Sequence, residues 1–137
     1  MRDTFEFPVM GISYTGLESM LIEAESQLRN APVDLIPEPD NSFDSFAIGV
    51  WLGTDKIGYV PNRGNSCTNC FSYVQSTDHS CSKCGALYET FTMDNKSGLA
   101  WRLINRKVFE QDLVSFISDV KIKNEKIQIT VHGYISV

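Results

Sequence analysis

Four cysteines lie in two closely spaced pairs, Cys67-x2-Cys70 and Cys81-x2-Cys84, separated by ten residues. Two such pairs supply the four thiolates that zinc prefers in a tetrahedral site, and a shell filled by protein ligands leaves no position for water or substrate. Residues 62–94 around them hold few aliphatic side chains, so metal binding would provide their folding free energy. The pattern predicts one structural Zn²⁺ per chain, with Cys67, Cys70, Cys81 and Cys84 as its ligands.

Two disulfides or a redox-active pair are the alternatives to a metal site. The N-terminus lacks the apolar run of a secretory signal, and no stretch approaches the roughly 20 apolar residues of a membrane span. We therefore expect a cytoplasmic protein with no membrane partner. A reducing compartment disfavours disulfides, and one Cys-x-x-Cys suffices for redox chemistry. His79 is a further candidate ligand, but four thiolates already complete the shell.

The charge is distributed unevenly along the chain. A net charge of −5 argues against strong, non-specific binding to phosphate backbones. Residues 1–60 carry three basic and ten acidic groups, whereas residues 95–137 carry seven basic and four acidic groups. A polyanionic partner is therefore expected to contact the C-terminal third.

Apolar periodicity predicts several strands and fewer helices. Alternating or continuous apolar runs predict strands over residues 5–15, 33–36, 46–52, 56–60 and 126–134. The first of these has an irregularity at the Met-Gly step, and Gly-Thr-Asp between the third and fourth predicts a hairpin turn.

Apolar residues at spacings of three and four predict two helical regions. The first covers residues 17–28 and is closed by an Asn-Ala-Pro sequence. The second extends from Ser97 to about Ser118, with a break near Lys107.

Residues 37–48, Pro-Glu-Pro-Asp-Asn-Ser-Phe-Asp-Ser-Phe-Ala-Ile, resemble the HIRAN domain. That family carries a Glu-Pro-x-Asn-Pro-Tyr/Phe-Asp-x-x-Ala-Ile/Val stretch leading into a strand. Residues 56–61, Lys-Ile-Gly-Tyr-Val-Pro, are similar to the family's Gly-Tyr/His-Val/Leu-Pro strand, and residues 11–14 match the end of its first strand.

The resemblance implies a mainly β (α+β) fold, a small OB-like and partly open β-barrel with one or two helices. Residues 1–61 and 95–137 would form the barrel. Residues 62–94 would be an inserted, zinc-ribbon-like pair of knuckles.

The resemblance also implies a nucleic-acid site. The best understood HIRAN domains bind single-stranded DNA at a free 3′ end, where aromatic side chains stack on bases and an aspartate meets the 3′-hydroxyl. Matching by motif assigns the DNA-binding residues of this chain as Tyr14, Asn41, Phe43, Asp44 and Tyr59. Two basic residues, Arg63 and Arg106, are expected to meet phosphates. The implied function is a non-catalytic module that recognises single-stranded DNA 3′ ends.

Other readings of the same residues stay open. Asn41 and Asp44 can simply shape a turn, because Asn and Asp side chains bond their own backbone there. The acidic charge, and Ser13 where DNA-binding members have an aromatic residue, favour a protein-interaction module. Such a module would dock a partner through the pocket or the zinc insert. We expect no enzyme, since no catalytic constellation stands out; the remaining alternative is a Mg²⁺-dependent nuclease using Glu38, Asp40 and Asp44.

Overall fold

The described part of the protein consists mainly of β-strands with short helices. A computed structural model describes residues 4–62, 65–66, 73–74 and 99–135. Its strands form two antiparallel three-stranded sheets and one small two-stranded sheet. Neither three-stranded sheet closes into a barrel.

The first sheet has the order β1-β8-β7, with β1 at Thr4–Pro8, β7 at Leu113–Lys123 and β8 at Lys126–Ile135. Phe5 lies opposite Gly133, where any Cβ would overlap the phenyl ring. A glycine is therefore required for Phe5 to turn into the core. The final strand predicted from the alternating sequence is confirmed.

The second sheet has the order β2-β3-β4, with β2 at Asp34–Pro37, β3 at Ile48–Leu52 and β4 at Asp55–Tyr59. The predicted hairpin is confirmed: β3 and β4 pair across a turn in which Gly53 has a φ of +63°. Glycine adopts such a backbone conformation at no steric cost because it has no Cβ. The small third sheet pairs β5, Asn65–Ser66, with β6, Tyr73–Val74.

The helices are shorter than the apolar spacing predicts. The first helical region divides at Ala24 into α1, Glu18–Glu23, and α2, Glu25–Leu28. The predicted strand over residues 5–15 is too long, because β1 ends at Pro8 and Ile12–Tyr14 form a 3-10 turn after Gly11, whose φ is +81°.

The long helix predicted from Ser97 to Ser118 is wrong in its second half. Helix α3 covers Leu99–Asn105, and the chain then passes through Lys107, which has a φ of +56°, into strand β7. The residues of β7 have apolar spacings that also fit a helix. These residues form a strand because they pair with β8, which places Ile117 opposite Val131 in the core.

Two isolated bridges link the three-stranded sheets. Met10, beyond the end of β1, pairs with Tyr59 at the end of β4. Pro32, before β2, pairs with Phe116 in β7. Buried side chains from both three-stranded sheets and from α1, α2 and α3 form one hydrophobic core, which includes Phe7, Leu21, Leu28, Ile48, Leu103 and Ile129. Within the described residues, no helix has the length and apolar character needed to cross a membrane.

Candidate functional site

A pocket of about 390 Å³ opens between the turn that precedes β3 and the C-terminal end of β4. Four of the residues assigned to DNA binding by motif line it: Asn41, Phe43, Asp44 and Tyr59. The other lining residues are Met10, Ala47, Val60, Pro61 and Asn62. The fold therefore brings together two motif segments that are separated by β3 in the sequence.

The turn forming one wall is held by its own side chains. The Asn41 Oδ1 atom accepts hydrogen bonds from the backbone N–H groups of Phe43, at 2.9 Å, and of Asp44, at 3.1 Å. The Asp44 Oδ1 atom accepts one from the Phe46 N–H at 2.9 Å. Asn41 and Asp44 thus shape the turn, as the simpler interpretation predicts, and they also face the pocket.

Asp44 is additionally tied to the opposite wall. Asn62 Nδ2 donates a hydrogen bond to Asp44 Oδ2 over 2.7 Å. Each carboxylate oxygen of Asp44 therefore accepts one protein hydrogen bond. A carboxylate offers about four acceptor positions, so Asp44 keeps the capacity to accept a further hydrogen bond from a ligand.

The aromatic side chain on the turn is open to solvent. Phe43 is 98% exposed although it lines the pocket. A phenyl ring that stays in water contributes no hydrophobic stabilisation to folding, so core packing does not explain the position of Phe43. Beside it, Met10 is 48% exposed and is fixed to β4 by two backbone hydrogen bonds with Tyr59, each 2.8 Å.

Behind the pocket lies a charged network centred on Glu38. Lys56 Nζ is 3.0 Å from Glu38 Oε2 and donates a 2.9 Å hydrogen bond to the Tyr59 hydroxyl. The Tyr59 hydroxyl donates in turn to Glu38 Oε1 over 3.1 Å, and Asn41 Nδ2 donates to the same oxygen over 3.1 Å. The Lys56 ammonium also lies 4.8 Å from the centre of the Tyr59 ring, within cation–π range.

The network perturbs both of its charged groups. Partial burial raises the pKa of Glu38, but hydrogen bonds from Asn41, Lys56 and Tyr59 and the charge of Lys56 outweigh it, so the pKa lies below its ordinary value. Hydrogen bonds to Tyr59 and then to Glu38 raise the pKa of Lys56 despite its partial burial. Both groups are therefore charged at neutral pH, and the Lys56 charge is directed at Glu38.

Two further predicted site residues, Tyr14 and Arg106, are described by the structure and do not line this pocket. Tyr14 is 93% exposed in the 3-10 turn that follows Met10. Arg106 is exposed just after the end of α3. Arg63, His79 and the four cysteines lie outside the described residues. None of the nine pocket-lining residues in the described part of the chain is basic.

Sequence reasoning does not identify three residues at or behind the pocket. Met10 stands only at a predicted strand irregularity, and no motif includes Asn62. Lys56 belongs to the predicted hairpin strand, and the structure shows that it bonds Glu38 and Tyr59 behind the pocket. The spacing Lys56-x2-Tyr59 along a strand does not by itself suggest a contact, since both side chains meet Glu38 only because β2 and β4 flank β3.

Acidic residues near the pocket do not assemble into a metal site in the part of the chain that the structure describes. There, no group of three or more His, Cys, Asp or Glu side chains is arranged to hold a metal ion. Of the three carboxylates considered for a nuclease, Glu38 is paired with Lys56, and Asp44 is bonded to Phe46 and Asn62.

Comparison with protein-family models, curated proteins and solved structures finds no match for this chain.

Proposed function

We propose that this chain is a non-catalytic module that binds the 3′ ends of single-stranded DNA. The observation that carries the proposal is the shared pocket, which gathers Asn41, Phe43, Asp44 and Tyr59 from two separate motif segments. A small pocket with one open aromatic side chain and convergent polar groups suits a terminal nucleotide.

The chemistry of the two walls supports an end rather than the middle of a strand. The exposed Phe43 ring offers a face for stacking, which is worth about 1–3 kcal/mol per base and tolerates any sequence. Asp44 supplies a carboxylate with acceptor capacity for a sugar hydroxyl. A terminal phosphate would place a second negative charge beside that carboxylate, so the pocket favours a free hydroxyl.

The phosphates of the DNA strand would bind to residues outside the pocket. None of the described lining residues is basic, and Lys56 is paired with Glu38. Arg63 and Arg106, together with the basic C-terminal third and the exposed Tyr14, are the candidates for contact with the rest of the strand. Arg106→Ala is expected to weaken binding of all strands equally and to flatten the salt dependence.

The proposal includes a HIRAN-type, partly open barrel. The bridges Met10–Tyr59 and Pro32–Phe116 connect the edges of the two three-stranded sheets. Across these bridges the strands succeed one another as β1-β8-β7-β2-β3-β4 and return to the residues after β1. Such a circuit supports the barrel arrangement and explains why the pocket forms at the Met10–Tyr59 bridge.

Fluorescence anisotropy at low salt tests the function. Two otherwise identical short oligonucleotides carry a 3′-hydroxyl or a 3′-phosphate. Tighter binding of the hydroxyl strand is expected, and Asp44→Ala should erase the difference. Asp112→Ala, which alters an exposed aspartate outside the pocket lining, should leave it unchanged. Equal binding of both strands by the unaltered protein, or no binding, contradicts end recognition.

A protein-interaction module is the second candidate. The net charge of −5 favours it, as does the absence of basic side chains among the lining residues that the structure describes. Failure of both oligonucleotides to bind would leave this candidate in place.

The proposal also includes one structural Zn²⁺ bound by Cys67, Cys70, Cys81 and Cys84. The donor set, two Cys-x2-Cys pairs, suits zinc. Pairing of Ser66 with Tyr73 adds support, because it joins the residues that precede and follow the first cysteine pair in the sequence. Elemental analysis of protein purified without added metal should find one zinc per chain. Four free thiols without metal, or two disulfides in freshly lysed cells, would contradict the site.

A further inference from the structure

We propose that Glu38 is a positioning residue that holds the two walls of the pocket together. One wall is the turn from Asn41 to Asp44, and the other is the end of β4 at Tyr59. The hydrogen bonds of the Glu38 carboxylate go to Asn41, Lys56 and Tyr59. It would therefore act on a ligand through the residues that it orients. Its importance for DNA binding rests on the proposed function; its role in ordering the turn does not.

The contacts of Glu38 reach both walls through one carboxylate. Its Oε1 atom accepts hydrogen bonds from Asn41 Nδ2 on the turn and from the Tyr59 hydroxyl on β4, each 3.1 Å long. Its Oε2 atom pairs with Lys56 at 3.0 Å. No single neutral acceptor of the same length provides both oxygen positions, because an amide replaces one oxygen with a donor nitrogen.

The backbone around Glu38 reinforces the same arrangement. The Glu38 N–H donates to Ala47 O at 2.8 Å, and the Glu38 carbonyl accepts from Asn41 N–H at 3.0 Å. The turn is thus closed by backbone bonds at its base, while the carboxylate fixes the orientation of the Asn41 side chain. Asn41 Oδ1 can hold the Phe43 and Asp44 amides only in that orientation, since its Nδ2 is directed at Glu38.

The glycine at position 49 in β3 leaves space for the Glu38 carboxylate. A Cβ at Gly49 would lie 2.8 Å from Glu38 Oε2 and 3.0 Å from both Lys56 Cδ and Trp51 Nε1. Any side chain at Gly49 would displace the carboxylate or the lysine. The glycine in β3 is therefore explained by the network that crosses it.

The network also pairs the positive charge of Lys56, which could otherwise bind a phosphate, with Glu38. Lys56 is only 33% exposed and bonds Glu38 and Tyr59. Its ammonium neutralises Glu38, so that a carboxylate behind the pocket does not repel a negatively charged strand. Glu38 and Lys56 are consequently expected to act as a unit.

Hydrogen exchange measured by NMR without DNA tests the positioning role directly. In Glu38→Ala, the Phe43 and Asp44 amides are expected to exchange with water about tenfold faster, as the loss of one hydrogen-bonded constraint implies. The Val50 amide in β3 should be unchanged. Glu38→Gln keeps an acceptor for Asn41 and Tyr59, and Lys56 can turn toward solvent, so the exchange rates should return toward those of the unaltered protein.

Asp34→Ala serves as the matched control, because Asp34 is an exposed carboxylate at the start of β2, outside the turn. Unchanged exchange at Phe43 and Asp44 in Glu38→Ala would overturn the proposal. An equal acceleration at Val50 would overturn it too, because it would mean that the substitution loosens the whole sheet.

Anisotropy with the 3′-hydroxyl oligonucleotide supplies the functional readout. Glu38→Ala should weaken binding about fivefold to tenfold and reduce the preference over the 3′-phosphate strand, and Glu38→Gln should restore most of both. Full affinity and preference in Glu38→Ala would contradict a positioning role in binding. If the unaltered protein binds neither strand, the proposed function fails, whereas the exchange rates still decide whether Glu38 orders the turn.

Discussion

Asn62 and Asp44, eighteen residues apart in the sequence, are joined by a 2.7 Å hydrogen bond from Asn62 Nδ2 to Asp44 Oδ2. Both residues line the pocket, so the bond joins the segment after β4 to the turn before β3. Because it restrains the carboxylate assigned to the ligand hydroxyl, Asn62 should influence the site although no motif includes it.

Asn62→Ala is expected to weaken binding of a 3′-hydroxyl oligonucleotide by a factor of about 12 to 160, which corresponds to roughly 1.5–3 kcal/mol for one hydrogen bond to a charged group. Gln128→Ala, which truncates an exposed amide on β8, provides the control. Anisotropy titrations measure both. Equal affinities of the two variants would show that Asn62 does not orient Asp44.

Phe43→Ala should separate binding from stability. Phe43 is 98% exposed, so its truncation should change the free energy of unfolding by no more than about 0.5 kcal/mol. Loss of a stacking platform should weaken single-strand binding by about 1–3 kcal/mol. Urea denaturation and anisotropy on the same preparation measure the two effects.

Tyr14→Ala is the matched comparison for Phe43, because Tyr14 is 93% exposed and lies outside the pocket lining. A smaller loss of affinity than for Phe43→Ala is expected. The reverse order would place the main stacking surface at the 3-10 turn instead of the pocket.

Gly58→Ala should open the bridge between the two sheets. A Cβ there would overlap the carbonyl oxygen of Met10 and lie 2.5 Å from Val9 Cγ1. The overlap would push apart the backbones of Met10 and Tyr59, which are joined by two hydrogen bonds. We therefore expect the free energy of unfolding to fall by more than about 2 kcal/mol. Urea denaturation measures it.

Gly11→Ala provides the comparison, because its φ of +81° strains an alanine while the surrounding space is open. Gly11→Ala should lower the free energy of unfolding by about 1–2 kcal/mol. If Gly58→Ala lowers it by no more than that, the protein tolerates separation of Met10 from Tyr59.

Removal of Lys56 should change how stability depends on pH. The folded protein holds the pKa of Glu38 below about 4.5, so the contribution of Glu38 is present above that pH and is lost as pH falls through the lowered value. It holds the pKa of Lys56 above about 10.5, so the contribution of Lys56 is present below that pH and is lost as pH rises through the raised value.

The difference in unfolding free energy between the unaltered protein and Lys56→Met should therefore be greatest between about pH 5 and pH 10 and should narrow at both extremes. Urea denaturation across this range measures it. Lys121→Met is the control, since the Lys121 side chain is 76% exposed and its pairing with Asp119 is long, at 3.9 Å. A pH-independent difference for Lys56→Met would show that the pair contributes no electrostatic stability.

The sequence predicts those structural features that depend only on residues close together in the chain. The alternating residues of β8 predict that strand without reference to any partner, because a period of two fits only a half-buried strand. The Gly53 turn follows similarly from a residue that tolerates positive φ. The turn of Asn41 and Asp44 was also readable, since both side chains bond backbone groups two or three residues away.

The start of β7 was not predictable from its own residues. Leu113, Phe116 and Ile117 satisfy helical spacing as well as a strand with a bulge, and local propensity leaves the two states close in energy. Hydrogen bonds to β8 resolve the choice, and these depend on residues more than ten positions further along the chain.

The sequence by itself determined the mainly β character, the hairpin, the turn and the motif residues, because each of these depends on side chains and backbone groups that are near neighbours in the chain. Only the tertiary structure decided that Glu38, Lys56 and Tyr59 form one network and that Asn62 reaches Asp44. Those contacts require β2 and β4 to flank β3 and the two sheets to meet at Met10. Strand pairing between distant segments is set by burial of the whole core, which no local pattern contains.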